Sequence, residues 1–481
     1  MHRMIPSESA DATAGAPPMH RHRAHRALLA AVTLLPAVVV LTLAAGAGRP
    51  LLLVLVAAAF AVWTLADARA TVLVAVLLAT FVDYAAGTLA LEIAVLVAWI
   101  AWSALLLLWR SAWRGWTAPP RELRAGVLVW LGVCAMGVVV GLLRGNGLRD
   151  LGLELLPALW PVAALAVPQA LDRKHLGYAL AGLVAIGVIH TVFGLVMLQA
   201  YRERLGGIYF TTVTGIAAVV LWSAALMAPR RRIRALCLLA MIPMLLHLFF
   251  SFTRGYWLGA IAGLATATLL GWRSLGRFEP RARARRLLLV PALLAVAAVA
   301  AGLAALYFGG GGLFTAAGGR FESSFSTQAS RETLSNVIRL AEYDRAIEAA
   351  ARSPIVGSGF GATIVTRDPL FRTLKEQWVV HEYYLLLWLK LGVVGLLGFG
   401  FLIVRFARAA WRRAAEDDSW LARAWSIAAV AVTVQVLAIL VTNYSLADLN
   451  TAGIFAYVWG VYAAAAAGRP STGAVTSSPG G

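Results

Sequence analysis

The sequence predicts an all-α polytopic membrane protein with about 12–14 transmembrane helices, a count set by the length a bilayer demands, and one large extracytoplasmic loop. Three observations carry this. Of the 481 residues, 60% are hydrophobic and 14% charged, with mean hydropathy +0.78, whereas a soluble domain carries about 25% charge. Apolar windows of about 17–22 residues recur along most of the chain, each able to cross a hydrocarbon core of roughly 30 Å. The period-2 alternation of a transmembrane β-barrel is absent.

The spans read as 27–46, 50–66, 70–84, 88–109, 124–143, 155–171, 175–199, 208–228, 235–250, 255–271, 287–307, 383–404, 422–441 and 451–467. The third is the shortest. Basic clusters give their direction. Arg21, Arg23 and Arg26 precede the first span, and Arg110, Arg114, Arg121 and Arg124 share one connection. Arg230, Arg231, Arg232 and Arg234 share a second, Arg281, Arg283, Arg285 and Arg286 a third, and Arg405, Arg408, Arg412 and Arg413 a fourth. An inside N-terminus puts every cluster in the cytoplasm, as the positive-inside bias requires. It leaves 144–154, 200–207, 251–254, 308–382 and 442–450 outside. The layout is a cytoplasmic tail 1–26, helices over 27–307, an outer loop 308–382, helices over 383–467 and a Gly/Ser/Pro-rich cytoplasmic tail 468–481 that reads as disordered. The first tail has too few apolar residues for a signal peptide, so the first apolar run reads as an uncleaved helix.

The net charge of +19 lies largely in topology-setting loops and does not call for nucleic acid. Cys134 and Cys237 fall inside apolar windows and read as packing residues. No paired-Cys pattern, HExxH or Walker loop occurs, and Gly357-x-Gly359-x-Gly361 follows no strand. The sequence therefore calls for no metal and no cofactor. It also shows no internal repeat of the kind that marks many transporters.

Within the outer loop, 331–352 reads as a helix whose Leu340, Tyr343, Ile347 and Ala350 form one apolar stripe. Arg339 and Glu342 are spaced to pair, and Ser353-Pro354 ends the helix. A glycine-punctuated turn, 354–361, follows. The bland reading is a half-buried helix on the membrane surface.

Charges in short outer connections stand out against the charge bias. Arg254, in Ser251-Phe252-Thr253-Arg254-Gly255, can clamp a phosphate through its planar fork; the alternative is a snorkelling Arg beside aromatic anchors. Arg202 and Arg204 suggest an anionic partner, although Glu203 can neutralise one of them. His381 suits a general base at neutral pH, with helix capping or packing as the alternative. Glu382 could bind a substrate hydroxyl or itself act as the base. Lys390, Glu92 and His190 are ionisable groups inside spans and are functional candidates on that ground. The connection 442–450 reads as an ordinary polar loop, with contact to sugar the alternative.

Three segments in order then resemble the O-antigen ligase and polymerase superfamily of bacterial membrane glycosyltransferases, with a GT-C-like fold. They are Ser251-Phe252-Thr253-Arg254-Gly255, the stretch from Arg339 to Gly361 with its Pro-x-x-Gly-x-Gly-x-Gly turn, and His381-x-x-Tyr384-Leu385 through Leu391-Gly392-Val393-Val394-Gly395-Leu396. They cover roughly the C-terminal half. The resemblance implies a donor glycan on undecaprenyl pyrophosphate. It also implies a lipid, glycan or wall acceptor, membrane lipids as surroundings, and a site on the outer face of the bacterial cytoplasmic (inner) membrane. It assigns Arg254 and, more loosely, Arg204 with Arg202 to the pyrophosphate, and His381 to activation of the acceptor. Glu382, Tyr383, Tyr384 and Arg339 fall on the acceptor or sugar side. Many members carry Asn after the His, where this chain has Glu382. A polymerase of lipid-linked repeat units would use the same residues. A transporter or flippase of such lipids is the competing class, and it should line its midplane with polar residues or broken helices.

Overall fold

The computed structural model describes residues 116–201, 207–251, 253–278, 331–367, 374–377 and 380–467, with isolated positions between 69 and 112 and at 293. The expected spans 27–46, 50–66, 88–109 and 287–307, both tails, Glu92, Arg202, Arg204 and the start of the outer loop lie outside the described residues, as does most of 70–84. The chain divides into two compact units, Met1–Val74 and Ala75–Gly481. Every element named here belongs to the second.

Helices form where the apolar windows predict them. They are α1 (Arg121–Leu143), α2 (Leu148–Ala158), α3 (Trp160–Ala170), α4 (Leu176–Tyr201), α5 (Gly207–Met227), α6 (Arg231–Phe250) and α7 (Arg254–Phe278). After the outer segment's helix α8 (Arg331–Ala351) and strands β1 (Ile364–Arg367) and β2 (Leu374–Gln377) come α9 (Tyr383–Ala414), α10 (Trp420–Leu440) and α11 (Leu449–Ala467). Among the described residues, seven helices are long and apolar enough to cross a membrane, and an eighth if a bent pair counts as one span. The protein is an all-α, multi-pass membrane protein.

The most buried helix is α11, enclosed along nearly its whole length by α3, α5 and α10. Trp160 of α3 sets its ring 4.7 Å from both Phe455 and Trp459 of α11. On the other side α7 packs along α10, where Gly259 and Gly263 lie against the backbone of Gln435 and Ala431. Small residues at such contacts let helices approach closely where lipid offers no hydrophobic drive.

The ends of the bundle differ in character. At one, Arg412 lies 3.5 Å from Glu122 and Arg173 lies 3.6 Å from Asp417. At the other, Arg144 donates to Ser353 and Ser358, and Asn443 donates to Tyr256. The described basic clusters and the outer segment thus occupy opposite ends.

Four expectations need correction. The span at 155–171 is two helices, α2 and α3, bent by 45° at Leu159. Pro161 accounts for the bend, because it lacks an N–H and its ring crowds the carbonyl four residues back. Much of the expected loop 144–154 is therefore helix. Second, the outer segment contains an antiparallel pair that registers Ile364 on Gln377 and Arg367 on Leu374, favoured by the β-branched run Ile364-Val365-Thr366. Third, the apolar stripe of α8 is divided: Ala350 is buried, together with Glu342 and Ala346, whereas Leu340 is 60% and Ile347 46% exposed. Fourth, Glu342 does not turn to Arg339, because both its oxygens bond His381.

Helix α9 is also broken. Gly392 has φ 65° and ψ −164°, which interrupts the ladder. In a continuous helix, Val393 and Val394 would donate to Leu389 and Lys390. Here Val393 N donates to Pro354 O at 2.9 Å and Val394 N to Ile355 O at 3.1 Å. The released carbonyls of Leu389 and Lys390 accept from Ser358 N and Gly359 N, each at 2.8 Å. The turn 354–361 restores each bond that the break removes. Two more of its donors are used: Phe360 N bonds Gly137 O of α1 at 3.1 Å, and Gly361 N bonds Glu154 of α2 at 2.8 Å. Lys390 donates to Glu154 and to Ala362 O, pinning the turn from below.

The turn has glycines because backbone meets backbone. Gly359 has φ 80°, and a Cβ there would fall on the main chain of Gly141. The substitution Gly359→Ala should abolish the monodisperse species on fluorescence size-exclusion chromatography in detergent. Gly400→Ala, whose methyl would meet nothing within 4 Å, should elute as wild type. Identical elution of both variants would show that the clamp is dispensable. For the ion pair, Lys390→Met alone should cost about 3–5 kcal/mol, because it strands a buried carboxylate. Adding Glu154→Gln should restore part of that loss in thermal unfolding, since the amide oxygen can still accept from Gly361.

Candidate active site

The outer end of α9 brings together residues far apart in sequence. His381 precedes the helix, and its side chain is 40% exposed. Glu342 of α8, with a side chain only 1% exposed, accepts from the backbone N–H of His381 at 2.6 Å and faces ring Nδ1 at 2.7 Å. Tyr444 sits edge-on to the imidazole, centroids 5.7 Å apart and planes at 79°. Among the described residues, Nε2 has no hydrogen-bond partner. Buried behind, exposed ahead and held at two points, this ring can take a proton from an approaching hydroxyl.

Glu382 has a different task. It is the N-cap of α9, and its carboxylate accepts from Tyr384 N at 3.1 Å and Leu385 N at 2.5 Å. Burial pushes its carboxyl up, while donation from Leu385 and Tyr384 opposes that shift. Of the two candidate bases, His381 presents the unoccupied atom. Tyr383 turns into the bundle against Phe399, centroids 5.8 Å apart, and Tyr384 donates its hydroxyl to Leu437 O at 3.0 Å. Neither side chain reaches outward as a free sugar ligand. Arg339 is half-buried one turn before Glu342 on α8. Its charge acts on Tyr343, whose hydroxyl burial pushes up while Arg339 opposes.

Arg254 is the first residue of α7, at the same end of the bundle. The turn before it is tight: Thr253 Oγ1 donates to Ser251 O at 3.0 Å, and Trp257 Nε1 reaches back to Leu248 O at 2.8 Å. The Arg254 side chain, like Arg202 and Arg204 as a whole, is outside the described residues. A helix start nonetheless offers free N–H groups and a positive dipole end.

One connection links these parts. Asn443 donates to the Tyr256 hydroxyl at 3.2 Å, two residues into α7 from Arg254. Its neighbour Tyr444 faces His381. The loop 442–448, read from sequence as ordinary, therefore touches both the Arg254 helix start and the His381 ring. Reading the sequence also missed Glu342 as a partner of His381. An acidic residue on the closely packed face of a helix was the available signal.

Two further charged candidates, Lys390 and His190, are accounted for by packing. Lys390 is held by Glu154 and Ala362 O, and buried His190 bonds Ile186 O at 2.8 Å. No group of three or more His, Cys, Asp or Glu among the described residues is placed to hold a metal ion.

Residues 239–400 match the family model described as O-antigen ligase. No curated protein matches the chain at a significant level. The matched segment opens within α6 and closes within α9, so it includes the Arg254 turn, α8 with Glu342, the glycine turn and His381, and it stops short of Tyr444. Over residues 239–400 the chain, a multi-pass membrane protein, is thus similar to the O-antigen ligases.

Proposed function

We propose that the protein transfers a glycan from undecaprenyl pyrophosphate to an acceptor hydroxyl at the outer face of the bacterial cytoplasmic membrane. The observation that carries this reading is the shared loop: Asn443 bonds the helix that Arg254 opens, and Tyr444 packs on His381. A cation-bearing helix start and a base with a free nitrogen thus flank one connection at one end of the bundle.

In this reading the pyrophosphate docks at the start of α7. Arg254 supplies a bidentate fork and the helix terminus adds backbone N–H groups. Arg204 and Arg202, between α4 and α5, add charge on the same side. The acceptor oxygen attacks the anomeric carbon as His381 Nε2 takes its proton. The carbon–oxygen bond to phosphate breaks, its electrons leave with undecaprenyl pyrophosphate, and the configuration inverts. Fixed cations meet the charge that develops on the leaving group, where such stabilisation is most effective. The positive-inside bias of the basic clusters supports an outer location for the opposite end.

Broken helices are also a feature of transporters, whose unwound backbone coordinates cargo. The break in α9 does not fit that use, because the turn 354–361 occupies its backbone groups. A polymerase would differ from a ligase in its acceptor and keep the same site.

The test is transfer from a labelled undecaprenyl-pyrophosphate glycan by purified protein in detergent with EDTA. Acceptors should include lipid-linked repeat units, crude envelope lipids and wall fragments. His381→Ala should lower turnover by about 10²–10⁴-fold, the usual contribution of a general base. Arg254→Ala should abolish transfer, and Arg254→Lys should remain poor because an ammonium has no fork. Normal transfer by the His381 and Arg254 alanine variants would overturn the assignment. Movement of the lipid between leaflets of liposomes, without transfer, would favour a transporter.

A further inference from the structure

We infer that Glu342 is a positioning residue that selects the proton-free nitrogen of His381. The argument rests on the reading of His381 as the base, and on the two bonds that converge on a single buried carboxylate. One Glu342 oxygen accepts from the main-chain N–H of residue 381 at 2.6 Å, and the other meets Nδ1 at 2.7 Å. Both demands fall on one side chain that is 1% exposed, so water is a poor substitute for either.

A carboxylate is acceptor-only, so the nitrogen facing it must carry a hydrogen. The neutral ring is then the Nδ1–H tautomer, and its lone pair lies on Nε2, the atom without a described partner. The bond to the main chain matters as much as the bond to the ring. It fixes the backbone from which the imidazole hangs, so Glu342 sets both the location and the tautomer of the base. The same logic operates in serine hydrolase triads, where a buried carboxylate holds the tautomer of a histidine.

This arrangement makes an isosteric substitution informative. Glu342→Gln keeps volume and shape but has one oxygen and one NH2. The main-chain N–H can only donate, so it claims the oxygen. The NH2 then faces Nδ1, which must become the acceptor, and the ring proton moves to Nε2. The base loses its lone pair in a protein that keeps its fold. Glu342→Asp retains two acceptor oxygens and should retain the tautomer with reduced turnover.

The experiment combines 15N-histidine NMR of the full-length protein in detergent micelles with steady-state transfer kinetics. Resonances are assigned to residue 381 by their loss in His381→Ala. Wild type and Glu342→Asp should show the Nδ1–H ring, and Glu342→Gln the Nε2–H ring. Turnover of Glu342→Gln should fall on the order of 10²–10⁴-fold, with KM for the labelled donor within about threefold of wild type, since binding is left intact. A residue that only supports the loop would not invert the tautomer. An unchanged ring in Glu342→Gln overturns the inference, as does an inverted ring with wild-type turnover. A wild-type protein that transfers no glycan would count against the proposed function, while the NMR comparison would still decide whether Glu342 sets the tautomer.

Discussion

The bonds exchanged between the turn 354–361 and the break at Gly392 govern the outer half of the molecule. A helix interrupted in an apolar environment exposes two donors and two acceptors, and each unsatisfied group there costs several kcal/mol. The turn supplies two carbonyls, from Pro354 and Ile355, and two amides, from Ser358 and Gly359. Neither partner is stable in this form alone. The break needs the turn to complete its ladder, and the turn needs the break to give its amides carbonyls. This mutual dependence accounts for glycine at 357, 359 and 392, where positive φ coincides with main chain from another segment. It also makes the glycine-rich turn unavailable as an anion cradle, because its amides are already engaged.

The clamp determines where the candidate base meets its carboxylate. From Glu342 to the end of α8 at Ala351 is about 13 Å of helix, and from Tyr383 to Leu391 is about 12 Å, at 1.5 Å per residue. Both lengths are measured from the same locked junction, so the two helices reach the same height and Glu342 arrives beside His381. Arg144 and Asn146, at the end of α1, hold the turn from the side by donating to Ser353, Ser358 and the carbonyl of Phe360. A shift of one turn in either helix would separate the ring from its acceptor by about 5 Å. Precision at the surface thus derives from hydrogen bonds placed deeper in the bundle.

Much of this was legible in the sequence, and the parts that were not have a common cause. Hydropathy located α1, α4–α7 and α9–α11 because lipid imposes a length and a composition on any spanning helix. Pro161 carried the information for the bend between α2 and α3, but the apolar window concealed it. The burial of Glu342 on α8 was not legible because its cause is tertiary: its donors come from residue 381, 39 positions away. The stripe of Leu340 and Ile347 is apolar without being internal. Asn443 and Tyr444 have no local signature, since their meaning lies in Tyr256 and His381. The glycines announced an unusual turn, yet only the fold reveals that its counterpart is Gly392.

The two carboxylates of Glu342 and Glu382 do different work. Glu342 holds the ring and main chain of His381, whereas Glu382 closes the start of α9 through the amides of Tyr384 and Leu385. The residue after the His therefore occupies an N-cap position, which demands a side-chain acceptor within reach of the first free amides. Asn, common there in the proteins this chain resembles, is among the best residues for that purpose. A glutamate with its longer side chain meets the same demand here. The glutamate that departs from that pattern is then a conservative change in a structural role. The carboxylate that bonds the ring and main chain of His381 comes from α8 and not from its sequence neighbour.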